Sequence, residues 1–210
     1  GTIRIGAPEG FGSYVLSPRL GRLMERHPRL TIQLVPLPRT FSLSKREADI
    51  AIVIDRPEEG RLTVRKLTDY TLSFYAARSY LAQHGEPRNI EQLQRHTIVT
   101  YVQDLQFAGA LNYFPQGFSP QFRRFECAGV LGQAEAVRAG AGIGILHDYH
   151  AGGDAALVRI LPEQRFPRSY WLVTHADMRS LTRVRLAVDF IVAEVQAARA
   201  MFLPQDVAAG

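Results

Sequence analysis

Ile3-Arg4-Ile5-Gly6-Ala7 alternates apolar and polar residues and then meets Pro8-Glu9-Gly10-Phe11-Gly12-Ser13, read as a glycine-rich turn. Behind it Val15, Leu16, Leu20, Leu23 and Met24 recur at helical spacing, and Thr31-Ile32-Gln33-Leu34-Val35 reads as a second strand. Strand, loop, helix and strand in this order make a βαβ unit, whose two strands are expected to run parallel. His27-Pro28 ends the helix, because the residue before a proline is pushed out of the α region. Pro18 either sits in the first helical turn behind a Ser17 cap or kinks a helix that begins near Ser13.

Working outward, Pro36, Pro38 and Thr40 interrupt the second strand, and Asp49-Ile50-Ala51-Ile52-Val53-Ile54 is an apolar run of the kind buried on both faces in a parallel sheet. The first lobe is therefore expected to be open α/β. A second pattern starts at Leu72-Ser73-Phe74-Tyr75-Ala76, with a helix from Ser79 to Gln83 closed by Gly85, another capped by Asn89, and a strand from Thr97 to Tyr101. Val102 to Gly117 is aromatic and irregular, with Phe107, Tyr113 and Phe114, and is expected to line or lid a cleft. A helix from Gln133 to Ala139 leads through Gly140-Ala141-Gly142 into a buried strand ending near Leu146, and two further strands are expected near Leu157–Ile160 and Tyr170–Thr174. Leu181, Val184, Val188, Ile191, Val195 and Phe202 share one stripe of a closing helix of roughly six turns.

With 210 residues and 46% hydrophobic content, the chain can bury one large core or two small ones. One cysteine, Cys127, excludes an internal disulfide and a four-cysteine zinc site. No run approaches the ~20 apolar residues of a membrane span, so no membrane partner is expected and the cytoplasm is the expected compartment. The opening directly on strand-like sequence reads as a cut at a domain boundary. The net charge of +5 is carried by arginines scattered along the chain, with Lys45 and Lys66 the only lysines. Phosphate binding needs such charges gathered on one face, so the composition reads as a solvated surface.

Catalytic constellations are missing from the pattern. Gly140, Gly142 and Gly144 follow a helix and precede a strand, the reverse of a dinucleotide-binding turn. His147 and His150, three apart, have no assured third metal ligand beside Asp154 or His175, and no metal or cofactor is expected. Gly12-Ser13 lacks the second glycine of a nucleophile elbow, and Cys127 lies in a strand-like run as a packing residue. The chain is read as a binding module and not an enzyme.

In open α/β sheets, ligands bind beyond the carboxyl ends of the strands. The candidate ligand residues are therefore Pro8, Glu9, Gly10, Phe11, Gly12 and Ser13 after the first strand, and Arg39, Thr40, Phe41 and Ser42 after the second. Thr100, Tyr101, Gly132 and His147 are the candidates of the second lobe. The first segment offers backbone N–H groups at a positive helix end. Thr40 and Ser42 could equally cap a turn, Glu9 its own helix, and Tyr101 could be half-buried packing.

Taken together, Ile3-Arg4-Ile5-Gly6-Ala7, Glu25-Arg26-His27-Pro28, Lys45-Arg46-Glu47-Ala48-Asp49-Ile50-Ala51-Ile52, Tyr75-Ala76-Ala77-Arg78-Ser79-Tyr80-Leu81 and Ala134 through Gly144 resemble, in order and spacing, the effector-binding domain of LysR-type transcriptional regulators. The resemblance implies two Rossmann-like lobes of the type II periplasmic-binding-protein kind, 1–70 with 171–210 and 71–170, joined by two crossover strands near Asp69–Leu72 and Arg168–Leu172. It further implies a small-molecule effector bound between the lobes. It implies a homodimer that buries the helices 13–26 and 182–202, and a tetramer of full-length protein. DNA would be bound only through a winged helix-turn-helix outside these 210 residues. Two positions depart from the family pattern: Arg46 where many members carry glycine, and His147 where many carry proline. An imidazole at the second can donate, accept or carry charge near pH 7. A solute-binding protein of a transporter shares the architecture, and a monomeric state would distinguish it.

Overall fold

The computed structural model describes residues 1–37, 48–57, 61–102, 123–178 and 180–203. The chain divides into two compact units, Gly1–Asp69 with Ser169–Arg199, and Tyr70–Arg168 with the residues from Ala200 onward.

In the first unit β1 (Thr2–Ala7) pairs in parallel with β2 (Thr31–Pro36), in register from Thr2 opposite Thr31 to Ala7 opposite Pro36, and with β3 (Ile50–Val53) on its other side. The βαβ reading of the opening residues is borne out. The apolar run at 50–53 is buried at Ile50, Ala51 and Ile52, as a strand covered on both faces requires. Beyond β3 lies β8 (Leu157–His175), antiparallel to it through Ile50 opposite Thr174 and Val53 opposite Trp171.

The helix after β1 starts earlier than its sequence suggests. Glu9 and Gly10 are already helical, Phe11–Leu16 form π-helical turns, and α1 (Ser17–Arg26) continues from them. Pro18 supplies a physical reason: it has no N–H to give to the carbonyl four residues back, and its ring crowds that carbonyl. The widened turns pass it without a break, with the Ser17 N–H and hydroxyl both donating to the Gly12 carbonyl. Ser17 is thus an interior residue and not a cap. Leu20 and Leu23 of α1 are buried, as are Val184, Ala187, Ile191 and Val195 of α5 (Thr182–Ala197), and Arg22 and Arg19 pair with Glu194 where the two helices meet.

The second unit is built on the Tyr70–Ala77 part of β4 (Leu62–Ala77), whose earlier residues belong to the first unit, and on β7 (Ile143–His147), β5 (Thr97–Tyr101) and β6 (Arg123–Cys127), in that spatial order. β7 is antiparallel to β4 and parallel to β5, and β5 is parallel to β6. Its helices are α2 (Arg78–His84), closed by Gly85 at φ +78, α3 (Val130–Arg138) and the one-turn α4 (Asp148–Ala151). Asn89 caps its segment as expected, its side-chain oxygen accepting the Gln92 N–H at 3.1 Å, although the helix there is a short 3-10 turn at Glu91–Arg95.

Three expectations need correction. The strands near 157–160 and 170–174 are one strand, β8, passing Leu161 at φ +49. Pro162, Pro167 and the polar residues around them concealed its continuity. β4 likewise begins ten residues before Leu72, through the charged stretch Arg65–Asp69. The closing helix stops at Ala197, and α6 (Arg199–Phe202) carries Phe202 onto Tyr149 of the second unit, ring centroids 5.3 Å apart. Helical spacing alone had placed Phe202 on the same stripe as Val195.

Candidate functional site

The parallel pairing brings the segments after β1 and β2 off one edge of the first unit, where the Leu37 N–H donates to the Ala7 carbonyl at 3.2 Å. Of the predicted residues here, Pro8, Gly10, Phe11 and Gly12 are buried, Ser13 is half-buried and Glu9 is exposed. They are helical from Glu9 onward and not a loop, so the Gly12 N–H is already given to the Pro8 carbonyl at 2.8 Å. Any anion at this helix start must use the N–H groups before Gly12. Phe11 is fully buried, its ring 4.6 Å from that of Tyr170, in the core of this unit. Arg39, Thr40, Phe41 and Ser42 lie outside the described residues.

In the second unit the strand ends converge as the topology dictates. Tyr101 is opposite Cys127 at the ends of β5 and β6, and β7, parallel to β5 through Ile98–Ile143 and Val99–Gly144, ends at His147. Thr100, Tyr101 and His147 therefore share the carboxyl edge of this unit, where α3 starts after Gly129. Thr100 is half-buried and Tyr101 buried, while Gly132, in the first turn of α3, is exposed and lies against Cys127. Burial pushes the Cys127 thiol up, which keeps it protonated and inert, the packing role its sequence suggested.

His147 departs from its expected behaviour. It is buried, stacked on Tyr70 with centroids 5.6 Å apart, and tilted against Tyr149 at 4.9 Å. Burial, with repulsion from His150, holds the imidazole down to about 3, so it carries no charge near pH 7. The next residue is the centre that sequence reasoning missed. Asp148 is 3% exposed and accepts hydrogen bonds from Thr71 Oγ1 at 2.5 Å, Ser73 Oγ at 3.1 Å and Tyr75 OH at 2.8 Å, with Arg165 Nε 3.7 Å away. Its signal was present as three hydroxyl residues at alternate positions of one strand, which places them on one face. Gln133 was missed too. It is buried in α3, and its side-chain nitrogen has no partner among the described residues.

Among the described residues no three histidine, cysteine, aspartate or glutamate side chains gather in a way that could hold a metal ion. A cavity of about 240 Å³ in the first unit, lined by Thr63, Arg65, Leu172, Thr174, Val184, Arg185, Val188 and Asp189, includes none of the candidate residues. What the two edges offer is hydrogen-bonding groups at strand ends and helix starts.

Residues 1–196 match the family model described as the LysR substrate binding domain. The chain belongs to this family. It is a LysR-type effector-binding domain, with the type II periplasmic-binding-like fold of that family. Among curated relatives it is similar to the HTH-type transcriptional regulator CrgA of Neisseria meningitidis serogroup C, 26% identical over 212 residues that cover 93% of this chain and 67% of that protein. It is also similar to the transcriptional activator TtdR of Escherichia coli K12, 24% identical over 93% of this chain and 65% of that one. The chain thus spans about two thirds of the length of the curated relatives it matches. In structure it resembles the CrgA regulatory domain, with a TM-score of 0.81, 25% identity and coverage of 92% and 98% of the two chains. The fold is shared with full-length AphB of Vibrio cholerae at a TM-score of 0.73 and 22% identity, over 92% and 68%. The LysR-type reading of the sequence is borne out, and the transporter reading is not favoured. No helix among the described residues is long and apolar enough to cross a membrane.

Proposed function

We propose that this LysR-type domain binds a small-molecule effector at the carboxyl ends of its strands, performs no chemistry on it, and transmits its occupancy to a DNA-binding domain elsewhere in the full-length regulator. The observation that carries this reading is the convergence of Thr100, Tyr101 and His147 with the start of α3 at one strand edge, in a chain that matches the family along 196 residues. Pro8, Glu9, Gly10, Gly12, Ser13 and the segment Arg39–Ser42 supply the corresponding groups of the first unit. Phe11 positions that segment through its packing on Tyr170. The mechanism is population shift: an effector that binds one arrangement of the domain better than another moves the equilibrium by that difference in affinity.

The same reading makes the domain a cytoplasmic homodimer, part of a tetramer in the full-length protein, with DNA contacted only by the winged helix-turn-helix beyond this chain. CrgA and TtdR, named as HTH-type regulators, support that assignment. The test is a thermal-shift screen of the chain against small organic acids, aromatics and amines, with the mass in solution measured on the same sample. A dimer stabilised by one chemical class, with the shift reduced in Thr100→Ala, is the expected result. A monomer that no class stabilises, or one that converts a compound, overturns the reading.

A further inference from the structure

Gln133 is the fourth residue of α3 and only 3% exposed, yet among the described residues its Nε2 meets no hydrogen-bond partner. His147 Nδ1, at the end of β7, is a second orphan of the same unit. Buried polar groups are nearly always paired, so an orphan asks for an acceptor. Side chains on a helix lean toward its N-terminus, which directs the Gln133 amide over the first turn of α3. That turn starts just after Cys127, the residue opposite Tyr101, and its Gly129 cap contributes no side-chain hydrogen bond.

We infer that Gln133 is a specificity-determining donor of the effector site and that the effector presents a carboxylate to it. This rests on the effector-binding reading above. The orphan atom is a donor, and the start of a nine-residue helix carries partial positive charge, so an anionic acceptor satisfies both where an amine satisfies neither. Two acidic groups near this edge of the unit are already matched. Asp148 takes three hydroxyl donors, and Glu126, in register with Thr100, faces Arg124 at 3.6 Å. An orphan donor satisfied only by ligand is expensive without it, which gives the site its discrimination between ligands that can accept there and ligands that cannot.

The test is calorimetric titration of the full chain with benzoate, benzamide and benzylamine, which share a ring and differ in charge. The wild-type chain is expected to prefer benzoate. Gln133→Leu removes the donor at nearly constant size and should weaken benzoate about tenfold, equivalent to about 1.4 kcal/mol, while melting of the chain alone stays level or rises. Gln133→Glu, a second variant of the same shape, should reject benzoate and narrow the gap to benzylamine. Preference for benzylamine, failure of the wild type to bind benzoate, or unchanged benzoate affinity in both variants overturns the inference. If Thr100→Ala loses binding while both Gln133 variants keep it, the effector reading survives and this inference falls. If no compound of the broader screen binds, both fall.

Discussion

Tyr75 donates its phenolic proton to Asp148 Oδ1 over 2.8 Å, which ties the C-terminal end of β4 to the first turn of α4. Asp148 raises the phenol further above its ordinary range, where burial already pushes it. Thr71 and Ser73 complete the shell on the other carboxylate oxygen. Asp148→Ala strips the acceptor from three buried hydroxyls and the counter-charge from Arg165, so the expected cost is about 3–5 kcal/mol, the range for breaking a buried charged pair. Urea unfolding of the full chain measures it, and a loss below about 1 kcal/mol would show that water replaces the carboxylate readily.

Acid should weaken the fold through His147. Its imidazole is held down to about 3 by burial, whereas an unfolded histidine takes its proton near 6.5. Between these values the unfolded chain binds more protons, so stability is complete above pH ~6.5 and declines as pH falls toward ~3. Burial moves His96 and His150 the same way, so His147→Phe should flatten part of the dependence. Urea midpoints at about pH 7.5 and pH 5 decide the matter, because an equal slope in variant and wild type would remove His147 as the source.

Gly142 precedes β7 where a Cβ would stand 2.3 Å from the Thr97 carbonyl oxygen and 2.9 Å from its carbon. Backbone cannot yield as a side-chain tip can. Gly142→Ala is therefore expected to cost about 3 kcal/mol, at the upper end for overpacking. Gly153→Ala, with nothing within 4 Å of its added methyl, should change the melting temperature little. Similar melting of the two variants would contradict the β5–β7 contact.

Phe202 is fully buried and packs on Tyr149. Truncating such a ring leaves a cavity, and Phe202→Ala should cost about 3–5 kcal/mol. Removing an exposed continuation of α5 would instead change little, so the denaturation midpoint separates the two descriptions of this segment.

The strands at 2–7, 31–36, 50–53 and 97–101 were legible in the sequence because each is a short run of apolar and β-branched residues whose pairing buries it. Their parallel order also foretold which residues lie at strand ends, and Thr100, Tyr101 and His147 do share one edge. The long strands β4 and β8 were read short because their charged and proline-bearing halves carry no apolar period, and ladder hydrogen bonds do not depend on hydropathy. The helix start at Glu9 was hidden because a π-helical turn accommodates Pro18 in a way no simple helical period describes.

By itself the sequence determined the α/β class, the family and the edges at which the strand ends gather, since these follow from periodicity and from the order of segments. Only the tertiary structure decided the state of the individual side chains. His147 looks like a titrating rim residue until burial between Tyr70 and Tyr149 removes its charge. Asp148 carries no distinctive signal of its own in the sequence until β4 places three hydroxyls around it. Gln133 looks like an ordinary helix residue until burial leaves its amide nitrogen without a partner among the described residues. Solvation and pairing of polar groups depend on neighbours far along the chain, and local pattern does not encode those neighbours.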